Sequence, residues 1–219
     1  MLMVDFYSKS KQEKDNKMKV ALIGASGMAG SSILNELVAR GHQVTAIARS
    51  PEKIAHHIQV EARQANINDT AQLTPLIKGL DAVISAVHFT DTQIENLLSA
   101  LKQAAVPRFL MVGGAGGLTL ASGKRLVDDP KFPEHVKPEA LAGIVILNIL
   151  RQQSDLNWTV LSPSMIFKSG ERTGKFRLGQ DELLMQDGLS YISAQDYAIA
   201  LINELEQPEH ICQRFTVGY

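Results

Sequence analysis

Seven residues, Gly24-Ala-Ser26-Gly27-Met28-Ala29-Gly30, have the types and spacing to bind a phosphate. They follow the apolar run Lys19-Val-Ala-Leu-Ile23 and open a stretch with helical spacing, Ser32-Ile-Leu-Asn-Glu-Leu-Val38. Strand, glycine turn and helix in that order aim free N–H groups and a positive dipole end at whatever the turn admits. The first glycine allows the tight turn and the second lets backbone approach a pyrophosphate. The third lets the helix pack close to the strand. The spacing is G-x-x-G-x-x-G rather than G-x-G-x-x-G.

A dinucleotide held there would meet the carboxyl ends of later strands. An acidic side chain about 20 positions past the motif accepts the ribose 2′-hydroxyl of NAD, whereas arginine accommodates the 2′-phosphate of NADP. Here the second strand ends in Arg49-Ser50, with no carboxylate before Glu52. Arg49 offers planar donors suited to phosphate and Ser50 a hydroxyl beside it, so NADPH is expected over NADH. The alternative is a solvent-facing arginine. Asn66 and Ile67 fall near the adenine, Ser85, Ala86 and Val87 near a ribose, and Gly113 and Gly114 on the nicotinamide side. Small residues at 85–86 and 113–117 permit close approach of a ligand, and equally suit the ends of buried strands.

Carbonyl reduction on such a frame usually employs Tyr-x-x-x-Lys, the lysine and cofactor lowering the tyrosine's pKa. Tyr191 is followed four residues on by Gln195 and Tyr197 by Leu201, while Tyr219 is the last residue. Only Tyr7 and Lys11 match, by chance, ahead of the first strand. The helix where the pair is expected starts at Lys137-Pro138-Glu139 and holds no tyrosine. Ordinary alcohol–ketone chemistry is therefore not expected. Hydride transfer to a flavin asks less of the protein: N5 accepts hydride, solvent balances the proton, and positioning does most of the work.

His88 can hydrogen-bond a substrate or act as an acid, or is simply a loop histidine. With Ala115 and the apolar trio Met165, Ile166 and Phe167 it falls on the substrate side, although packing under a loop explains the trio equally well. Arg172, Lys175 and Arg177 can hold a flavin phosphate or another anion, or form a solvated loop. His56-His57 lacks further ligands, so no metal is expected. Ser162 and Ser164 have no His and Asp arrangement that suggests a hydrolase.

The elements that must position these residues alternate. Gln43–Ala48 reads as a second strand after Gly41 ends the first helix. Pro51 starts a short helical piece, and Ile58–Ala65 is a third strand. Asp69 or Thr70 caps a helix through Leu73 and Ile77, ended by Gly79. Asp81–Val87 is the fourth strand, Asp91 caps a helix to about Ala104, and Arg108–Val112 is the fifth strand. Residues 118–135 form a long connection. Lys137–Gln153 is helical and Trp158–Leu161 a sixth strand. Residues 163–190 read as a loop-rich substrate region with a short strand at Lys175–Leu178, before a helix at Ala194–Leu205 and a strand at Arg214–Val217. The pattern predicts an α/β fold, a doubly wound parallel-sheet Rossmann domain over 18–219. Residues 1–17 read as a disordered leader, with Met18 an alternative start.

The 219 residues suffice for one such domain, and 45% hydrophobic with 21% charged residues is ordinary for a soluble protein. A net charge of −1 favours neither nucleic acid nor a membrane surface as partner. The single Cys212 excludes an internal disulfide framework. The apolar run Ala140–Leu150 is shorter than the about 20 residues of a membrane span. A cytoplasmic monomer or homodimer acting on a small molecule is the expectation, the 140–150 helix serving either a dimer face or burial on the sheet.

The chain resembles the NADH-flavin reductase family of atypical short-chain dehydrogenases, near NmrA-like proteins and the biliverdin-IXβ/flavin reductases. The G-x-x-G-x-x-G spacing is typical of short-chain dehydrogenase relatives. The resemblance runs from Met18 to Tyr219 through residues 24–30, Asp-Ala-Val-Ile-Ser-Ala at 81–86, and Val-Gly-Gly-Ala-Gly at 112–116. It continues in Leu-Asn-Trp-Thr-Val-Leu-Ser-Pro at 156–163, Gly-Glu-Arg-Thr-Gly-Lys-Phe-Arg-Leu-Gly at 170–179 and Gln-Arg-Phe-Thr-Val at 213–217. It implies NAD(P)H and a flavin. Asn66 stands where relatives often carry Asp, and His88 where many carry a small residue. Two readings stay open: an NADPH-dependent reductase of a flavin or flavin-like acceptor, and an NmrA-type regulator that binds NADP(H) without turnover. An epimerase is disfavoured by the missing base and the short substrate region.

Overall fold

The computed structural model describes residues 17–219. The expected leader, apart from Lys17, and the Tyr7/Lys11 match lie outside the described residues. The apolar runs form strands β1 (Lys19–Ile23), β2 (Gln43–Ala48), β3 (Val60–Gln64), β4 (Ala82–Ser85), β5 (Arg108–Val112), β6 (Asn157–Pro163) and β10 (Gln213–Gly218). Two short strands, β7 (Ile166–Lys168) and β8 (Arg177–Gly179), lie in the region 163–190 read as loop-rich, β8 overlapping the strand expected at Lys175–Leu178, and a third, β9 (Tyr191–Ser193), follows that region. The main sheet runs β3-β2-β1-β4-β5-β6-β10-β8, parallel throughout except β8 against β10. β7 and β9 form a separate parallel pair.

Successive side chains on a strand point to opposite faces, so the sheet carries two cores. Val20 and Leu22 meet helices α1 (Met28–Ala39) and α5 (Ala194–Glu206) through Ile33, Leu37, Leu201 and Leu205. Ala21 and Ile23 face the layer of α2 (Thr70–Ile77), α3 (Ile94–Gln103) and α4 (Lys137–Leu150), with Leu73, Leu97 and Leu147. Each fully buried Leu or Ile stabilises by about 1.5–3 kcal/mol. Strand order reverses between β1 and β4, and ligands of open α/β sheets bind in the crevice at such a point.

Some boundaries moved. Ile58 is fully exposed and precedes β3. Asp69 caps α2, accepting from the Gln72 N–H at 3.0 Å, but Asp91 caps nothing. It ends a 3-10 turn, Phe89–Asp91, and α3 starts at Ile94 after Gln93. Residues 118–135 turn back on themselves and bond to 181–183 through Thr119.

Candidate dinucleotide-binding site

Gly24 leaves β1 with φ +83°, a left-handed conformation costly for other residues. A Cβ there would lie 2.7 Å from the Ala86 carbonyl oxygen, so the turn abuts the end of β4. The Gly24 carbonyl accepts from the Gly27 N–H at 3.1 Å, and Gly27 begins α1 with no side-chain cap. The first helical bond runs from the Ser31 N–H to the Gly27 carbonyl at 2.8 Å. Among the described residues, the N–H groups of Met28, Ala29 and Gly30 therefore have no backbone acceptor. These are the orphan donors of a helix start. A Cβ on Gly30 would overlap the Gly24 carbonyl, whereas one on Gly27 would lie 3.4 Å from its nearest neighbour. Ser26, Gly27 and Met28 are exposed, and no acidic residue stands in the first turn of α1. Three free N–H groups, a hydroxyl and three glycines that lack a Cβ fit a diphosphate.

Arg49 follows β2 with its side chain 80% exposed, 3.4 Å from the Asp91 carboxylate. Ser50 beside it starts a short 3-10 turn. Asn66 is exposed, its side-chain oxygen accepting from the Asn68 N–H at 3.0 Å, but the Ile67 side chain is buried in the core. Asn68, which no local motif flags, joins two loops: its amide donates to the Asp91 carbonyl at 2.8 Å, and its oxygen accepts from the Gln93 N–H at 2.7 Å. Ser85 is fully buried with no partner for its hydroxyl, while Ala86 and Val87 are half-buried.

The glycines after β5 have a packing role. A Cβ on Gly113 would meet the Leu161 carbonyl at 2.8 Å, on Gly114 the Phe89 ring at 3.1 Å, and on Gly116 the Ala140 Cβ at 2.6 Å. Ala115 is half-buried between them.

His88 is exposed, with Nδ1 3.1 Å from the Glu139 carboxylate at the start of α4. Burial pushes the Glu139 carboxyl up, but hydrogen bonds from the Thr90 and Phe89 N–H groups and from the Thr90 hydroxyl prevail and hold it below the usual 4.5. Met165 and Ile166 are exposed. Phe167 turns inward, its ring centroid 4.7 Å from that of Tyr197. The fully buried Tyr197 hydroxyl donates to the Leu161 carbonyl at 2.6 Å, and burial drives its pKa far up.

Two of the three cations read as anion ligands are otherwise engaged. Arg172 makes a two-pronged bond to Glu36 on α1, at 2.9 and 3.0 Å. Arg177 donates to the main-chain oxygens of Met185 and Tyr219. The strap 170–176 is tied down by Asp196 at the start of α5, which accepts from the N–H groups of Thr173 and Gly174, both at 2.8 Å, and from the Tyr219 hydroxyl at 2.7 Å. Burial raises the Asp196 carboxyl, yet the Thr173 hydroxyl and these donors outweigh it and leave it below the usual 3.8. A lowered folded pKa adds stability that is complete above 3.8 and lost as pH falls through the folded value. Asp196→Asn should accordingly flatten the acid limb of the urea midpoint plotted against pH. An unchanged limb would mean that Asp196 contributes nothing to acid stability.

The crevice at the β1/β4 reversal and its glycine cradle define a Rossmann domain that binds a dinucleotide. The NAD(P)H-binding family model matches residues 24–208, and the chain belongs to that family. Uncharacterized protein YwnB of Bacillus subtilis (strain 168) is 39% identical over 208 residues, covering 91% of this chain and 98% of that one. The crystal structure of a putative epimerase from Bacteroides thetaiotaomicron superposes with a TM-score of 0.87 at 41% identity, covering 93% of this chain and 97% of that one. A putative NADH-flavin reductase from Streptococcus pneumoniae TIGR4 gives 0.78 at 39% identity, covering 92% and 99%. Among the described residues, no helix is long and apolar enough to cross a membrane, and no three His, Cys, Asp or Glu side chains gather where they could hold a metal ion.

Proposed function

We propose that this protein is an NADPH-dependent oxidoreductase whose acceptor is a flavin or a flavin-like planar ring. One observation carries the reading: none of the tyrosines among the described residues, Tyr191, Tyr197 and Tyr219, is followed four positions on by a lysine, so no tyrosine–lysine pair stands ready for carbonyl chemistry. Tyr197 is sealed in the core, and the Tyr191 and Tyr219 rings pack against each other, tilted by 53° with centroids 4.7 Å apart. A bound nicotinamide supplies a hydride; the chain's residues need only hold the two rings together and exclude water. The exposed Arg49 supports NADPH as donor, and the name of the streptococcal relative supports a flavin as acceptor.

The test follows NADPH oxidation with FMN, FAD, riboflavin and simple quinones. Turnover with a flavin is expected, and Arg49→Ala should raise the KM for NADPH about 10- to 100-fold while leaving that for NADH unchanged. A preference for NADH would overturn the donor. Tight NADP(H) binding without turnover would identify a regulator of the NmrA type instead of an enzyme.

A further inference from the structure

A cleft of about 740 Å³ opens on the outer face of the β7–β9 pair, within the size range of small-molecule sites. No residue of the glycine turn, of β4 or of β5 lines it. Ile166 and Lys168 face it from β7, while Phe167 between them turns to the core. Its ring-bearing walls are Phe176, Tyr191 and Tyr219.

These walls are held in place before any ligand arrives. The Tyr219 hydroxyl is anchored on Asp196, and its N–H donates to the Tyr191 carbonyl at 3.1 Å. The strap on the other side is pinned by Gln195 at Gly170, at 2.8 Å, by Asp196 at Thr173 and Gly174, and by Glu36 at Arg172. Preorganised walls of this kind lower the ordering cost of binding. Arg177 is committed to two main-chain oxygens. Among the described residues, Lys168 and Lys175 have no carboxylate partner, and Glu171 is the one acidic side chain lining the cleft, with the Tyr219 main-chain oxygen held by Arg177.

Aromatic walls select a planar ring, and two unpaired ammonium groups beside them select an anion. We propose that this cleft binds a planar aromatic ligand carrying a phosphate, at a place separate from the dinucleotide cradle. The site goes beyond the redox reading and stands without it: a protein that binds here but never oxidises NADPH loses that reading and keeps this one.

Calorimetric titration of the whole protein, without NADPH, tests the site with FMN, AMP, riboflavin and inorganic phosphate. FMN or AMP should bind at least about tenfold more tightly than riboflavin or phosphate alone, and the tighter of the two identifies the ring. Lys168→Gln with Lys175→Gln should cost at least about tenfold, and Tyr191→Ala should weaken the ring contact, both with NADP⁺ affinity unchanged. Saturating NADP⁺ should leave the affinity within about twofold. Failure of both nucleotides to bind, indifference to the double substitution, or displacement by NADP⁺ would each overturn the proposal.

Discussion

A methyl group added at Gly27 should weaken dinucleotide binding about 100-fold at little cost to the fold, whereas the same methyl at Gly30 should damage both. At Gly27 the backbone is extended, with φ −76° and ψ 170°, which alanine adopts freely. The new Cβ would have only the Gly24 carbonyl near it, at 3.4 Å, and otherwise points where a phosphate must approach the free N–H groups. Gly27→Ala should cost less than about 1 kcal/mol of stability. It should weaken NADP⁺ binding about 100-fold, near 2.7 kcal/mol. At Gly30 the Cβ would overlap the Gly24 carbonyl and come within 3.0 Å of the Ala25 Cα. Those neighbours are backbone, so α1 must recoil from β1, at about 1–3 kcal/mol. A domain of this size loses about 2–4 °C of Tm per kcal/mol. Thermal unfolding beside NADP⁺ titration separates the two effects. Native affinity in Gly27→Ala would show that no phosphate sits against this turn.

The cradle was legible because its parts are contiguous: strand, three glycines and helix lie within one stretch of chain. The sheet was legible for a similar reason, since fully buried parallel strands read as unbroken apolar runs. β7 and β9 escaped notice because three residues are too few to display alternation, and they pair across more than 20 positions. Side-chain partnerships at long range were beyond reach altogether. Nothing near His88 announces Glu139, 51 residues on, and nothing near Arg172 announces Glu36, 136 residues back. Hence a basic run that suits an anion proved to be, at Arg172, a fastening of the strap to α1. The glycines at 113–117 were ambiguous for the same reason, because Phe89 and Ala140, which fill their missing side chains, come from other elements.

Removing the Glu204 carboxylate should cost more stability than any other single change at the amino ends of the strands. Glu204 on α5 and Arg108 at the start of β5 have side chains only 3% and 8% exposed, joined at 2.9 Å. Glu204 also accepts from the N–H groups of Glu209 and His210, at 3.1 and 3.0 Å. Burial lowers the Arg108 pKa, and the facing carboxylate pulls it back only in part. Glu204→Ala would leave a buried guanidinium without its counter-charge, though still bonded to Asn157 and Thr159, and two N–H donors without an acceptor, a loss of about 3–5 kcal/mol. That corresponds to a Tm lower by roughly 10 °C. The pair itself is another matter, because two desolvated charges often gain little over apolar side chains of similar volume. The Arg108 Nε has no partner at all, so the fork is incompletely satisfied. Arg108→Met with Glu204→Leu should therefore recover the share of the loss that the unpaired guanidinium causes, while the Glu209 and His210 N–H groups still lack their acceptor. Both variants should bind NADP⁺ as the native chain does, since the pair lies at the opposite ends of the strands from Gly24. A double variant as unstable as Glu204→Ala would show instead that the ion pair carries net stability, making this buried bridge more than a charge held neutral.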